Sequence, residues 1–200
     1  MRTREAFEIM APHFGNAVAV CALGMAANEW WAVTRSEETF YMHGAMGFAA
    51  SFALGLALSI PDTPVWMLNA DGSLCMNLGC LLTEAAQQAR NLRHFVVDNR
   101  VYQTVGGTPM VNHRYSDYAG IARAAGIKDA WTLKTPEEVE RALPGILGNS
   151  GPSFAVLRVE AESGFLGNPW MTYEGPEMKY RFGRALERKL GITVFGPQGY

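Results

Sequence analysis

The sequence predicts an α/β fold, a doubly wound parallel sheet of about six strands with helices on both faces. Three observations carry that expectation. A short apolar run such as Pro64 to Leu68, and further strand-like runs such as Leu92 to Val97, suit strands buried on both faces; an antiparallel sheet with one wet face would alternate instead. The runs end in glycines or in Asp/Asn tips, residues that turn a chain sharply. Between them lie stretches long enough for a crossover helix.

In order, Asn16 to Leu23 is a buried strand ended by Gly24, and a helical segment follows. Thr39 to Met42 is short and β-prone. Gly44-Ala45-Met46-Gly47 then opens an Ala- and Leu-rich helix that runs to Ser59 and stops at Pro61. The strand Pro64 to Asn69 leads into Ala70-Asp71-Gly72-Ser73 and a helix from Cys75 to Arg90. Leu92 to Val97 is the next strand, tipped by Asp98-Asn99. The long Gly/Thr/Pro-bearing loop behind it, Arg100 to Tyr115, is of the kind that carries function.

A helix at Asp117 to Ala125, a strand at Ala130 to Leu133, a helix at Pro136 to Leu147 and a strand at Ser153 to Val159 complete the series. Pro136 behind Thr135, with Glu137 and Glu138 in the first turn, is a sound helix start. These elements make one unit over residues 1–160. The remainder, 161–200, is a C-terminal extension rich in Gly, Pro and aromatic residues. It carries an amphipathic helix from Pro176 to Gly191 with Met178, Phe182, Ala185, Leu186 and Leu190 on one side. That helix either covers its own sheet or docks on a second subunit.

Composition bounds the function. A chain of 200 residues with 17 basic and 19 acidic side chains has a net charge of -2 and no basic run, which argues against a nucleic-acid surface. With 48% apolar and only 18% charged residues the chain is not disordered, and it has few charges with which to cover a small monomer; some apolar surface should meet another chain. Cys21, Cys75 and Cys80 are odd in number and lack paired metal spacing, as expected of reduced thiols in a cytoplasmic protein. No signal-peptide pattern is expected at the start, and the weakly polar stretch Gly44 to Ile60 is short for a membrane span.

Chemistry concentrates at two strand tips. Asp71 closes one strand and Asn99 the next, so both should face the crevice beyond the carboxyl ends of a parallel sheet. A hard cation such as Mg²⁺ takes oxygen ligands, one or two carboxylates and the remainder from phosphate or water. Asp71, the Asn99 amide oxygen and the Val101 carbonyl meet that demand, while Gly72 lets an anion approach the main chain and Ser73 offers it donors. Taken singly, Asp-Gly-Ser and Asp-Asn are as well read as a turn and a helix cap.

Residues 70 to 99 resemble the signature of thiamine diphosphate enzymes, a Gly-Asp-Gly followed one strand later by an Asn. Tyr41 to Pro109 is similar to sulfopyruvate decarboxylase β subunits and to the C-terminal half of phosphonopyruvate decarboxylases. The likeness covers roughly residues 12 to 160. It implies the diphosphate-binding (PP) domain of that fold, thiamine diphosphate and Mg²⁺ as cofactors, and Asp71, Asn99 and the Val101 carbonyl as metal ligands. It implies further cofactor contacts at Gly24, Gly44, Ala45, Met46, Gly72, Ser73 and Tyr102. Met46 would brace the bent cofactor and the Gly44 carbonyl would accept from its amino group. By spacing alone, Gly44 to Gly47 is a glycine turn with a core Met.

Three positions depart from the pattern: Ala70 replaces a glycine, Met25 stands where a hydroxyl is common, and Arg100 stands where a small residue is common. His43, before the glycine turn, and His113, in the long loop, are the candidates for proton transfer. Trp30, Trp31, Tyr41 and Trp170 would suit a bulky substrate or simply packing. In the family a glutamate on a separate pyrimidine-binding (PYR) domain activates the cofactor. The resemblance therefore implies a partner chain that supplies it, in a hetero-oligomer with at least two copies of each chain. The implied reaction is nonoxidative decarboxylation of a small 2-oxo acid to an aldehyde. Carboligation is a close variant, and a noncatalytic assembly subunit is the alternative from another class.

Overall fold

The computed structural model describes residues 1–162 and 173–196, so Trp170 lies outside the described residues. In chain order the elements are α1 (Thr3–Met10), β1 (Val18–Cys21), α2 (Met25–Thr34), β2 (Thr39–Tyr41), α3 (Ala49–Ser59), β3 (Val65–Ala70), α4 (Asp71–Cys75) and α5 (Cys80–Gln87). They continue with β4 (Leu92–Asp98), the two-residue strands β5 (Val101–Tyr102) and β6 (Thr108–Pro109), α6 (Tyr118–Ala125), β7 (Ala130–Leu133), α7 (Pro136–Gly148), β8 (Ser153–Arg158) and α8 (Gly175–Leu190).

Six strands form one parallel sheet in the order β2-β1-β3-β4-β8-β7. Alternate side chains of each strand feed two cores. Ala19, Cys21, Trp66, Leu68, Phe95 and Leu157 face one layer, with α1, α2 and α7 over them. Val20, Val65, Met67, Val96, Phe154 and Val156 face the other, under α3, α5 and α6. The chain leaves β1 toward β2 and then returns across to β3, so the loops after β1 and β3 part. The crevice between them is where such sheets hold ligands.

Helix α1 lies before the first expected element. Ala6, Phe7 and Met10 are fully buried, and the Phe7 ring meets Trp30 edge-on at 5.3 Å. Trp30 stacks further on Phe14 and Trp66, and Trp31 on Tyr41, so these aromatics pack the core.

The helix expected from Cys75 to Arg90 is two helices. α4 starts at Asp71 itself, and the chain breaks at Met76–Gly79 because Asn77 turns its side chain to other work: its Nδ2 donates to the Gly47 carbonyl at 3.1 Å. The Gly47 N–H in turn donates to Ser73 Oγ at 3.1 Å. The glycine turn after β2 is thereby tied to the tip of β3. The loop after Asn99 is partly ordered as the hairpin β5/β6.

Helix α8 covers the chain's own sheet edge. Phe182 packs on Phe40 of β2 at 5.5 Å, and Arg181 and Arg188 pair with Glu37 while Lys189 pairs with Glu38. This blunts an edge that would otherwise invite strand pairing. No described helix is long and apolar enough to cross a membrane.

Candidate active site

A cavity of about 160 Å³ opens beyond the carboxyl ends of β1, β3 and β4. Seven of the expected residues line it: Gly24, Met46, Asp71, Ser73, Asn99, Val101 and Tyr102. Gly72 lies buried just behind them, between Met46 and Tyr102. Gly44 and Ala45 form the exposed turn before Met46, at φ 73° and 51°, and do not line the cavity. His43 and His113, singled out for proton transfer, do not line it either. His43 is exposed beyond the end of β2. The His113 Nδ1–H donates to the Met110 carbonyl at 3.0 Å, which fixes the tautomer and leaves Nε2 as the basic nitrogen.

Backbone N–H groups hold the central carboxylate. Asp71 is 3% exposed; its Oδ1 accepts from the Gly72 N–H and its Oδ2 from the Arg100 N–H, both at 2.7 Å. The second bond requires Arg100 to adopt a left-handed φ of 65°, which explains why a small residue would be at ease there. Ala70 is extended (φ −119°, ψ 151°), where a Cβ meets no penalty, so its departure from glycine is harmless.

Asn99 is oriented at both ends. Its Oδ1 accepts from the Val101 N–H at 3.0 Å and its Nδ2 donates to Gln103 Oε1 at 2.8 Å. The Arg100 carbonyl takes the Met110 N–H at 2.9 Å, and opposite Val101 in register stands Pro109, which has no N–H. Val101 instead turns its N–H to the other edge of the strand, toward Asn99 Oδ1.

The electrostatics favour a cation. Burial, and next the charge of Asp98, push the Asp71 carboxyl up to about 7. Burial raises Asp98 too. Its oxygens make no aligned hydrogen bond, although Arg158 Nη2 stands 2.9 Å away. Among the described residues no group of three or more His, Cys, Asp or Glu side chains is gathered for a metal. The expected oxygen donors, the Asp71 carboxylate, the Asn99 amide and the Val101 backbone, belong to residues that all line the cavity. That set suits a hard divalent ion sharing its shell with phosphate, and not zinc.

Two arrangements come from the tertiary structure. Gln103, which the sequence places beside Val101 and leaves open between the site and packing under the loop, lines the cavity and anchors Asn99. Beneath β3, Asn69 Nδ2 donates to His94 Nε2 at 3.0 Å, and the His94 Nδ1–H donates to Glu84 at 3.0 Å; all three are 1% exposed. Pairing across the sheet, not spacing, brings them together.

A family model described as thiamine pyrophosphate enzyme, C-terminal TPP binding domain, matches residues 19–157. The chain belongs to this family. The cofactor of a thiamine pyrophosphate enzyme domain is thiamine diphosphate, with Mg²⁺ as its usual partner. Among curated relatives, phosphonopyruvate decarboxylase of Streptomyces hygroscopicus is 34% identical over 154 residues, which is 76% of this chain and 38% of that protein. The chain thus spans about two-fifths of that relative's length. Sulfopyruvate decarboxylase subunit beta of Methanococcus maripaludis is 27% identical over 184 residues, 92% of this chain and 97% of that protein. Among solved structures, benzoylformate decarboxylase from Polynucleobacter necessarius superposes with a TM-score of 0.70 at 22% identity, over 83% of this chain and 34% of that one, and shares the fold.

Proposed function

We propose that this chain is the diphosphate- and Mg²⁺-binding subunit of a heteromeric thiamine diphosphate enzyme that decarboxylates a small 2-oxo acid, of the sulfopyruvate or phosphonopyruvate kind, to an aldehyde. The observation that carries this is the seat at the tips of β3 and β4, where Asp71, Asn99 and Val101 line one cavity. The binding unit is residues 1–160, and the C-terminal extension, 161–200, carries helix α8, which lies over β2.

The residues fit the cofactor on chemical grounds. A buried carboxylate lifted to about 7 gains from a neighbouring cation, which would return it to its charged form. The cradle at Gly72 is closed to any Cβ by Tyr102 and Met46. At the far wall Gly24, at φ 96°, starts the ten-residue helix α2 with no side-chain cap, so the first N–H groups of α2 meet the cavity ready for phosphate oxygens.

When bound, thiamine diphosphate supplies the electron sink for breaking the bond between a carboxylate and a carbonyl carbon. The chain's own residues do the rest of their half. Asp71, Asn99 and Val101 hold the ion that carries the diphosphate. Met46 and Tyr102 cover Gly72 and keep water from it. Ser73 Oγ, by accepting from Gly47, fixes the turn that carries Met46. His43 and His113 serve proton transfer from the face that a partner closes.

That partner is a pyrimidine-binding subunit supplying the activating glutamate, with at least two copies of each chain. Support comes from a relative named as a subunit and matched over 97% of its length, and from a cavity of about 160 Å³, well short of the roughly 300–1,000 Å³ of a complete ligand pocket. Unpaired Cys21, Cys75 and Cys80 agree with a cytoplasmic setting.

The test is co-expression with a pyrimidine-binding subunit and assay of aldehyde release from sulfopyruvate and phosphonopyruvate. Asp71→Ala should abolish turnover. Retained turnover would reject the ligand assignment, and a cofactor-loaded complex inert to every 2-oxo acid tried would leave an assembly role.

A further inference from the structure

Gln103 opens the single helical turn Gln103–Val105 after β5 and is one of the residues lining the cavity. Its amide has one possible orientation. Asn99 commits its Oδ1 to the Val101 N–H, so it presents its NH₂ to Gln103, which must answer with Oε1. Gln103 Nε2 therefore faces away from Asn99 with two hydrogens, buried and with no partner among the described residues.

An amide donor buried without an acceptor costs about 1–3 kcal/mol. Such a group in a ligand cavity marks where an acceptor arrives. The oxygen and nitrogen of one amide share a carbon, so Nε2 lies within roughly 5 Å of the Asn99 amide nitrogen. The donor is thus beside the cation seat, and the acceptor that travels with a divalent cation is a phosphate oxygen. The opposite wall lacks a side-chain donor, since Gly24 and Met25 stand there. The two walls meet closely: a Cβ on Gly24 would be 3.5 Å from the Thr104 methyl.

We propose that Gln103 Nε2 donates to an oxygen of the bound diphosphate, while Gln103 Oε1 holds Asn99 in the orientation its neighbours require. This rests on the thiamine diphosphate reading above and adds a binding residue to it. Gln103→Met, uncharged and of similar length, and Gln103→Ala remove the side-chain amide without adding a charge; the lost donor then shows in diphosphate affinity at saturating Mg²⁺, and a loosened Asn99 in the Mg²⁺ requirement.

Thiamine diphosphate is titrated calorimetrically at saturating Mg²⁺, and the Mg²⁺ concentration for half-maximal binding is measured separately, for wild type, Gln103→Met and Gln103→Ala, each in complex with its pyrimidine-binding partner. Loss of a hydrogen bond to a charged group predicts about 10- to 100-fold weaker diphosphate binding at saturating Mg²⁺ in both variants. Wild-type affinity at saturating Mg²⁺ with a raised Mg²⁺ requirement would reduce Gln103 to a holder of Asn99 and overturn the donor. Wild-type values of both would overturn the proposal and leave the cofactor reading intact. Absence of Mg²⁺-dependent binding in the wild-type complex would overturn the cofactor reading itself.

Discussion

The terminal methyl of Met46 and the ring of Tyr102 close on Gly72 from two sides. A Cβ built on Gly72 would stand 2.9 Å from the Met46 Cε and 2.8 Å from the Tyr102 Cε1. Residues from three separate motifs, the glycine turn, the Asp-Gly tip and the Asn99 loop, thus share one patch of backbone. Glycine is required there for space and not for conformation, since Gly72 has no positive φ.

Gly72→Ala should therefore disturb the site more than the fold. Both obstructing atoms are ends of side chains that can swing aside, so the melting temperature should fall by only about 2–4 °C. Thiamine diphosphate affinity should fall about tenfold as Met46 is displaced. Unchanged affinity by calorimetry would show that Met46 does not brace the cofactor.

The network under β3 has a defined hydrogen-bond pattern. The Ala70 N–H donates to Asn69 Oδ1 at 3.0 Å, which fixes the amide so that Nδ2 gives a hydrogen to His94 Nε2. His94 Nε2 therefore accepts, and its Nδ1–H donates to the Glu84 carboxyl group. His94→Leu leaves both buried neighbours without their partner and should cost about 1–3 kcal/mol for each. Glu84→Gln keeps an acceptor for the His94 Nδ1–H and should cost less. Urea unfolding measures both, and equal losses would contradict the hydrogen-bond assignment.

Arg100 holds its left-handed φ of 65° to deliver one N–H to Asp71. Its side chain is exposed. Arg100→Gly should leave stability unchanged or raise it by up to about 1 kcal/mol, because glycine adopts that conformation freely. Thermal melts and cofactor titration together decide the side chain's role. A large loss of affinity without loss of stability would make the guanidinium a ligand contact.

The strap α8 is held by apolar packing more than by charge. Phe182 is 4% exposed against Phe40, whereas the Arg181 and Glu37 side chains are 40% and 38% exposed. Phe182→Ala should cost about 3–5 kcal/mol. Glu37→Ala should cost less than about 1 kcal/mol and lose its effect in high salt. Comparable losses in denaturant unfolding would reverse this ranking.

Much of this was legible in the chain because it is local. The parallel strands announce themselves as unbroken apolar runs such as Val65 to Leu68, and their tips by Asp71 and Asn99. What escaped reading depended on distant partners. The break between α4 and α5 follows from Asn77 reaching Gly47, and nothing between Met76 and Gly79 forbids a helix. Helix α1 earns its place only through Trp30 and α7. The aromatic residues at 30, 31 and 41 read equally as substrate contacts until packing put them in the core.

The sequence by itself determined element types, the family signature and the oxygen-bearing residues at the strand ends, because periodicity and turn chemistry depend on near neighbours. Only the tertiary structure decided the order β2-β1-β3-β4-β8-β7, which sets the tips of β3 and β4 side by side and turns the start of α2 toward them. It also decided which atoms of Asn99, Gln103 and His94 give hydrogens and which accept them. Strand order and amide orientation arise from contacts between residues far apart in the chain, and no local pattern encodes them.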